Sequence, residues 1–319
     1  MQNITSFADF WLSPEILKAV EEKGYIVPSE IQAQIIPLFL SAERDIVWQA
    51  QTGSGKTASF GLPIIEKLDT RDRKTQAIVL APTRELAIQV AREIESFGKY
   101  KNFTTALVYW GQFISKELRV LESGAQIVIG TPGRVRDHLK RGSIKLDSLK
   151  YFVLDEADEM LNIGFKEEVE EILATTPKDK RVLLFSATMP SQILRMAETY
   201  MGKYDLVKIE KKQEKMWKIE QGYYDVRPSD KLKLLTILIE MNPDMYGIIF
   251  CQRKIDCDEV AAYLMGHDIK AEAMHSDIDQ KKREAILKRL RERKIQFLVD
   301  EFILRIFDKI IIQSFQTAV

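Results

Sequence analysis

The sequence predicts an α/β protein, with a parallel sheet covered by helices on both faces and a second, smaller α/β unit after it. Three observations carry this expectation. Apolar runs of strand length alternate with amphipathic helical stretches through the first two thirds of the chain. A glycine-containing phosphate-loop pattern stands between the first of those runs and a helix. The length, 319 residues, is about twice the roughly 150 residues of an ordinary domain.

The expected strands are DIVWQA (45–50), QAIVLA (76–81), TALVYW (105–110), QIVIG (126–130), YFVLD (151–155) and RVLLFSA (181–187). Between them RELAIQVAREIESFGKY (84–100) and FKEEVEEILATT (165–176) carry helical periodicity. In such a sheet the functional edge lies at the carboxyl ends of the strands. KIEKKQEKMWKIEQ (208–221) has charge without sustained apolar periodicity and reads as a linker. The pattern then restarts with YGIIFC (246–251) as strand, CDEVAAYLMGHD (257–268) and REAILKRLRERK (283–294) as helices, and FLV (297–299) as the next strand. The expected division is 1–34 as an N-terminal segment, 35–207 as the first lobe, 208–221 as linker and 222–319 as the second lobe.

Composition narrows the classes. The chain is 45% hydrophobic and 29% charged, and its 47 basic residues balance 47 acidic ones, so any nucleic-acid surface must be local. Cys251 and Cys257 are too few for a disulfide framework and suit a reducing compartment, so a cytoplasmic chain is expected. MQNITSFADF has no signal-peptide pattern, and no apolar run approaches the ~18 residues that span a bilayer.

AQTGSGKT (50–57) differs from the strict phosphate-loop pattern only in Ala50 at the first glycine. Gly53 and Gly55 let the backbone aim its N–H groups at phosphate oxygens, Lys56 can reach the β- and γ-phosphates, and the Thr57 hydroxyl can hold Mg²⁺. Ala50, Gln51, Thr52, Gly53, Ser54, Gly55, Lys56 and Thr57 are therefore the phosphate-binding candidates, and a nucleotide's phosphates with Mg²⁺ the expected ligands.

YFVLDEADEM (151–160) ends a core strand in Asp155, Glu156, Asp158 and Glu159. Like charges this close repel unless a cation or a proton-transfer task explains them. Alone, an acidic strand exit is more often a solvated loop. Paired with a phosphate loop, it reads as a hydrolysis site: Asp155 binds Mg²⁺, and Glu156 orients and deprotonates the attacking water. Asp158 and Glu159 stay ambiguous between structural and solvated roles.

The order AQTGSGKT, PTRELA (82–87), TPGR (131–134), DEAD (155–158) and SAT (186–188) resembles the DEAD-box RNA helicases. Upstream, SFADF (6–10) and GYIVPSEIQ (24–32) resemble that family's Q motif. The resemblance implies two RecA-like lobes that close on ATP and single-stranded RNA. It implies that Tyr25 stacks on adenine, Gln32 hydrogen-bonds its edge and Phe7 braces the segment, with core packing as the plain alternative for Tyr25 and Phe7. It also points to Pro82, Thr83, Arg84, Thr131, Pro132, Gly133 and Arg134 as sequence-independent RNA contacts, where helix-start N–H groups could dock phosphate. Ser186, Thr188 and Asp158 are implied to couple hydrolysis to unwinding. Where the family has a glycine pair after the third strand, this chain has Trp110-Gly111, which puts that loop's RNA contact in question.

In the second lobe IIFCQRK (248–254) and QKKRE (280–284) fit the family, with Arg283 as a phosphate-contact candidate. AMHSD (273–277) has Ser276 where the family's usual residue is Gly. His138, His267 and His275 share no metal-ligand spacing, and surface or helix-packing roles are expected of them. After FLV the family continues with T-D-x-x-x-R-G and later H-R-x-G-R-x-G-R, whereas this chain reads DEFILRIFDKIIIQSFQTAV. A truncated or divergent second lobe is the expectation. KIIIQSF (309–315) would either pair as a replacement strand or stand exposed. The reading is an ATP-dependent RNA helicase; the alternative is a catalytically impaired ATP- and RNA-binding protein.

Overall fold

The computed structural model describes residues 4–49, 54–208 and 222–301, and the backbone of 311–314. Two compact units divide at Glu214 and Lys215, inside the expected linker, of which 209–221 lie outside the described residues.

In the first unit, helices α1 (Pro14–Glu22) and α2 (Glu30–Ser41) precede strand β1 (Asp45–Gln49). Then follow α3 (Lys56–Lys67), β2 (Ala77–Leu80), α4 (Arg84–Phe97), β3 (Thr105–Val108), α5 (Ile114–Glu122), β4 (Ile127–Gly130), α6 (Pro132–Lys140) and β5 (Tyr151–Leu154). Helices α7 (Ala157–Ile163) and α8 (Lys166–Ala174), β6 (Arg181–Ser186), α9 (Ser191–Tyr200) and β7 (Tyr204–Lys208) complete it. The sheet order is β3-β4-β2-β5-β6-β1-β7 and its pairings are parallel.

Successive strand residues point to opposite faces, and here both faces are dry. Ile46, Trp48, Ala77, Val79, Val153, Leu183 and Phe185 pack in one core with residues of α1 to α4. Val47, Ile78, Leu80, Phe152, Leu154, Val182 and Leu184 pack in the other, with residues of α6 to α9. That two-sided burial is why these strands read as unbroken apolar runs rather than alternating ones. The edge strands are the exceptions: β3 is buried only at alternate positions, and β7 was not among the expected strands. Its sequence YDLVK carries only two aliphatic residues, and it lies half exposed at the sheet edge beside β1.

The second unit holds α10 (Lys231–Met241), β8 (Gly247–Cys251), α11 (Lys254–Met265), β9 (Ala271–Met274), α12 (Gln280–Arg291), β10 (Phe297–Glu301) and β11 (Ile311–Ser314). Its strand order is β11-β8-β10-β9, with β8, β10 and β9 parallel. Of the two expectations for 309–315, pairing is the one the backbone of 311–314 follows: it runs antiparallel to β8, Ile311 opposite Phe250 and Ser314 opposite Gly247. Strand β9, AEAM, is too short and too alanine-rich to have been read from the sequence. Among the described residues, no helix is long and apolar enough to cross a membrane.

Candidate active site

The carboxyl ends of β1, β5 and β6 converge. Gln49 at the end of β1 lies opposite Ser186 at the end of β6, and the Gln49 Nε2 donates to the Ala187 carbonyl (3.4 Å). Ala50, Gln51, Thr52 and Gly53 lie outside the described residues. The rest of the phosphate loop leads straight into α3, with Lys56 as its first residue and Thr57 half-buried behind it.

Gly55 is required by its surroundings. It has φ +89°, and a Cβ there would sit 2.6 Å from Gln32 Nε2 and 3.2 Å from Ser29 Oγ. Those two side chains secure the loop from below. Ser29 Oγ donates to the Ser54 carbonyl (2.9 Å), and Gln32 Nε2 donates to the Gly55 carbonyl (3.3 Å). The Ser29 N–H donates in turn to Gln32 Oε1 (2.9 Å), so the amide's orientation is set from both ends. Gln32, expected at the adenine edge, is thus buried and bonded to the phosphate loop. Ser29 was not singled out in the sequence, although S-x-x-Q at a helix start is a capping-box signal.

Tyr25 is packed edge-on between Phe7 (5.9 Å between ring centroids) and Phe97 (5.8 Å). Phe7 is buried and also meets Phe10, so Phe7 and Tyr25 both pack on the hydrophobic core.

Lys56 and Asp155 are both buried, and Lys56 Nζ stands 3.8 Å from Asp155 Oδ1 and 3.7 Å from Glu156 Oε1. At these distances Lys56 Nζ is ion-paired with both carboxylates, beyond ordinary hydrogen-bond length. Among the described residues, Lys56 Nζ and Asp155 Oδ1 have no hydrogen-bond partner at all. Buried polar groups are otherwise nearly always satisfied, so this pair is shaped for something that enters. Burial pushes the Asp155 carboxyl up to about 6, against the pull of Lys56 and with the repulsion of Glu156. Glu156 itself is held in the left-handed region (φ 54°, ψ 53°), a conformation costing a non-glycine residue on the order of 1 kcal/mol. Phosphate oxygens on Lys56 and a cation on Asp155 would satisfy both orphaned atoms, so the residues present fit ATP with Mg²⁺.

Of the two acidic residues left open, Glu159 meets only Asn162 Nδ2 (3.4 Å) among the described residues, in an exposed hydrogen bond, whereas Asp158 is tied into the loop after β6. Its Oδ2 accepts from the Thr188 N–H (2.8 Å) and hydroxyl (2.7 Å), and its Oδ1 from the Ala187 N–H (3.4 Å). The Asp158 N–H donates to Ser186 Oγ (3.3 Å), whose hydroxyl donates to the Thr188 carbonyl (2.6 Å). Burial alone would raise this carboxyl, but the Thr188 and Ser186 hydrogen bonds outweigh it and hold Asp158 below its ordinary value. The coupling residues named from the sequence therefore form one closed hydrogen-bonded set.

A second group of loops lies at the ends of β2, β3 and β4. Thr83 caps α4, its Oγ1 accepting from the Leu86 N–H (3.3 Å), and Arg84 begins that helix. Thr83, Arg84 and Gly133 are half-buried, whereas Pro82, Thr131 and Pro132 are buried and shape the loops. Arg134 departs from the expected RNA contact. Its guanidinium is turned inward, donating from Nε (2.9 Å) and Nη2 (2.6 Å) to Glu117 Oε2 and from Nη1 to Asp137 (3.0 Å). Glu117 is a buried hub that also takes the Tyr109 N–H (3.1 Å) and meets His138 Nε2 (2.9 Å). A buried arginine must be paired, and that need outweighs its exposure to a ligand here. His138 is a packing residue within this network. Glu117 went unnoticed in the sequence, where a glutamate among the charged residues of ISKELRVLE resembles a solvated helix residue.

In the second unit Arg283 is half-buried in the first turn of α12, and its Nη1 donates to the His275 carbonyl (3.2 Å). His275 is buried, with Nε2 3.2 Å from Asp258 Oδ1. Among the described residues, no cluster of His, Cys, Asp and Glu has the makings of a protein-only metal site.

Residues 29–196 match the DEAD/DEAH box helicase family model, and 230–303 match the helicase conserved C-terminal domain. A probable ATP-dependent RNA helicase of Methanocaldococcus jannaschii is 47% identical over 294 residues, 92% of this chain and 78% of that protein. The DEAD-box ATP-dependent RNA helicase CshA of Geobacillus kaustophilus is 42% identical over 93% of this chain, which spans 63% of that protein's length. Among solved structures, a DEAD box protein from Methanococcus jannaschii is similar with TM-score 0.64 and 45% identity, covering 95% of this chain and 82% of that one. Dbp5 of S. cerevisiae bound to RNA and ADP BeF3 is similar with TM-score 0.82 and 30% identity, covering 93% and 76%.

Proposed function

Because the chain belongs to the DEAD-box family of ATP-dependent RNA helicases, we propose that it hydrolyses ATP at the Lys56–Asp155–Glu156 site and uses that cycle to remodel RNA locally. The observation that carries this reading is the buried ion pair of Lys56 Nζ and Asp155 Oδ1, 3.8 Å apart, whose two atoms have no hydrogen-bond partner among the described residues.

In this reading Lys56 binds the β- and γ-phosphates, while Thr57 and Asp155 hold the Mg²⁺. Bound there, the cation would neutralise charge on the phosphates and lower the cost of ionising Asp155. Glu156, fixed by its left-handed backbone, orients the attacking water and accepts its proton. Half-buried residues at the starts of α4 and α6, chiefly Thr83, Arg84 and Gly133, would grip sugar and phosphate without reading bases. Arg283 would contribute a further phosphate contact from the second unit. A cytoplasmic location belongs to the same proposal, supported by the two free, buried cysteines.

Glu156→Gln tests the assignment. RNA-stimulated ATP turnover is expected to fall by about 10²- to 10⁴-fold while ATP binding persists. Turnover undiminished in the variant would remove Glu156 from the mechanism, and turnover by the parent chain that ignores RNA would remove RNA as the effector.

Thr188→Ala tests coupling. It removes the 2.7 Å hydrogen bond to Asp158, a bond to a charged group worth about 1.5–3 kcal/mol. ATP turnover is expected to stay within about three-fold, and duplex separation to drop by roughly ten-fold or more. Equal losses in both assays would make Thr188 a part of the hydrolysis site instead.

A further inference from the structure

Two exposed aromatics at the second group of loops, Trp110 and Phe113, have no role in the reading above, and Trp110 is the one with a supporting partner. Trp110 follows β3 and is 49% exposed, although the other indole among the strands, Trp48, is fully buried. One face of the Trp110 ring rests on the Arg134 guanidinium, 4.6 Å from its centroid. That guanidinium cannot follow a moving ring, because Glu117 and Asp137 hold three of its nitrogens. Glu117 also holds the Tyr109 N–H, so the residue before Trp110 is anchored by the same carboxylate. The indole Nε1 lies 3.4 Å from where a Cβ at Gly133 would be. Next in the chain, Gly111 has φ +104° and leaves room for Arg84 Nη1, which a Cβ would meet at 2.9 Å. A rigid indole is therefore supported on one face and wedged between the starts of α4 and α6.

We propose that Trp110 is a base-stacking platform: its supported indole receives an unpaired nucleobase of the RNA whose phosphates the α4 and α6 starts would hold. A half-exposed indole supported on one face can take a flat partner on the other, and every nucleobase offers a π-face. The arginine beneath adds a cation–π contact to the same stack. Stacking of this kind tolerates any base but needs one that is unpaired, so Trp110 favours single strands over duplex. The inference rests on the RNA reading above.

The test uses the full chain with a non-hydrolysable ATP analogue. Binding is compared for a single-stranded oligoribonucleotide and for the same oligomer with its central bases removed. For the parent chain the abasic oligomer is expected to bind roughly ten-fold more weakly. Trp110→Ala should bring the base-bearing oligomer down to the abasic level without changing abasic binding, and Trp110→Phe should restore most of the difference. Equal loss on both oligomers in Trp110→Ala would overturn the stacking role and leave the ring a cover for the Arg134 ion pair. Equal affinity of the parent chain for both oligomers would overturn it as well. Failure of the parent chain to bind either oligomer is a different result, which overturns the RNA reading and the inference with it.

Discussion

Asp155→Asn is expected to make the nucleotide-free chain more stable, by on the order of 3 kcal/mol near neutral pH, while lowering ATP turnover by about 10²-fold or more. The sign follows from the direction of the shift. Burial raises the folded-state carboxyl from 3.8 to about 6. Between those values the folded chain holds a proton that the unfolded chain has released, so its contribution to stability falls as pH rises through this window. Above it the buried carboxylate is a standing cost, offset only in part by Lys56 at 3.8 Å. An amide removes the ionisation and so the cost, and in the same step removes the cation ligand. Denaturant unfolding in chelator-containing buffer measures the effect: the variant should exceed the parent near pH 7.5, with the gap closing near pH 4. A variant less stable than the parent near neutral pH would mean that the Lys56 attraction outweighs the burial of the carboxylate.

Glu117→Ala is expected to destabilise the first unit by about 3–5 kcal/mol, a drop in melting temperature of roughly 10 °C or more. The carboxylate is fully buried and receives Arg134 twice, the Tyr109 N–H and the His138 ring. Deleting it strands a buried guanidinium with Asp137 as its remaining anion. Glu117→Gln, which keeps one acceptor but not the charge, should fall between. Thermal melting of the three proteins decides the matter, and a Glu117→Ala variant within about 1 kcal/mol of the parent would show that Arg134 reaches water instead.

These two carboxylates mark where reading the chain succeeds and where it stops. Asp155 was visible because a strand of apolar residues ending in clustered acids, facing a G-S-G-K-T turn, has few other physical explanations. The parallel first sheet was visible for a similar reason. Strands buried on both faces must be apolar at every position, and helices between them must be apolar on one side. β7 and β9 escaped because a short strand at an edge, or one made of alanine, carries little of that signal.

Periodicity and motif spacing thus contain the α/β architecture, the phosphate loop and the acidic pair, since each depends on residues that are neighbours along the chain or on repeating patterns. Contacts across the sheet are of another kind. That Gln32 faces Gly55, that Arg134 turns in to Glu117, and that Trp110 is left standing on Arg134 with a face to water are consequences of which strands lie side by side. Pairing β2 and β3 to either side of β4 carries the loops of residues 82–84, 109–113 and 131–134 to one sheet edge. Once there, the cost of an unpaired buried charge determines which arginine points inward, and no local pattern encodes that outcome.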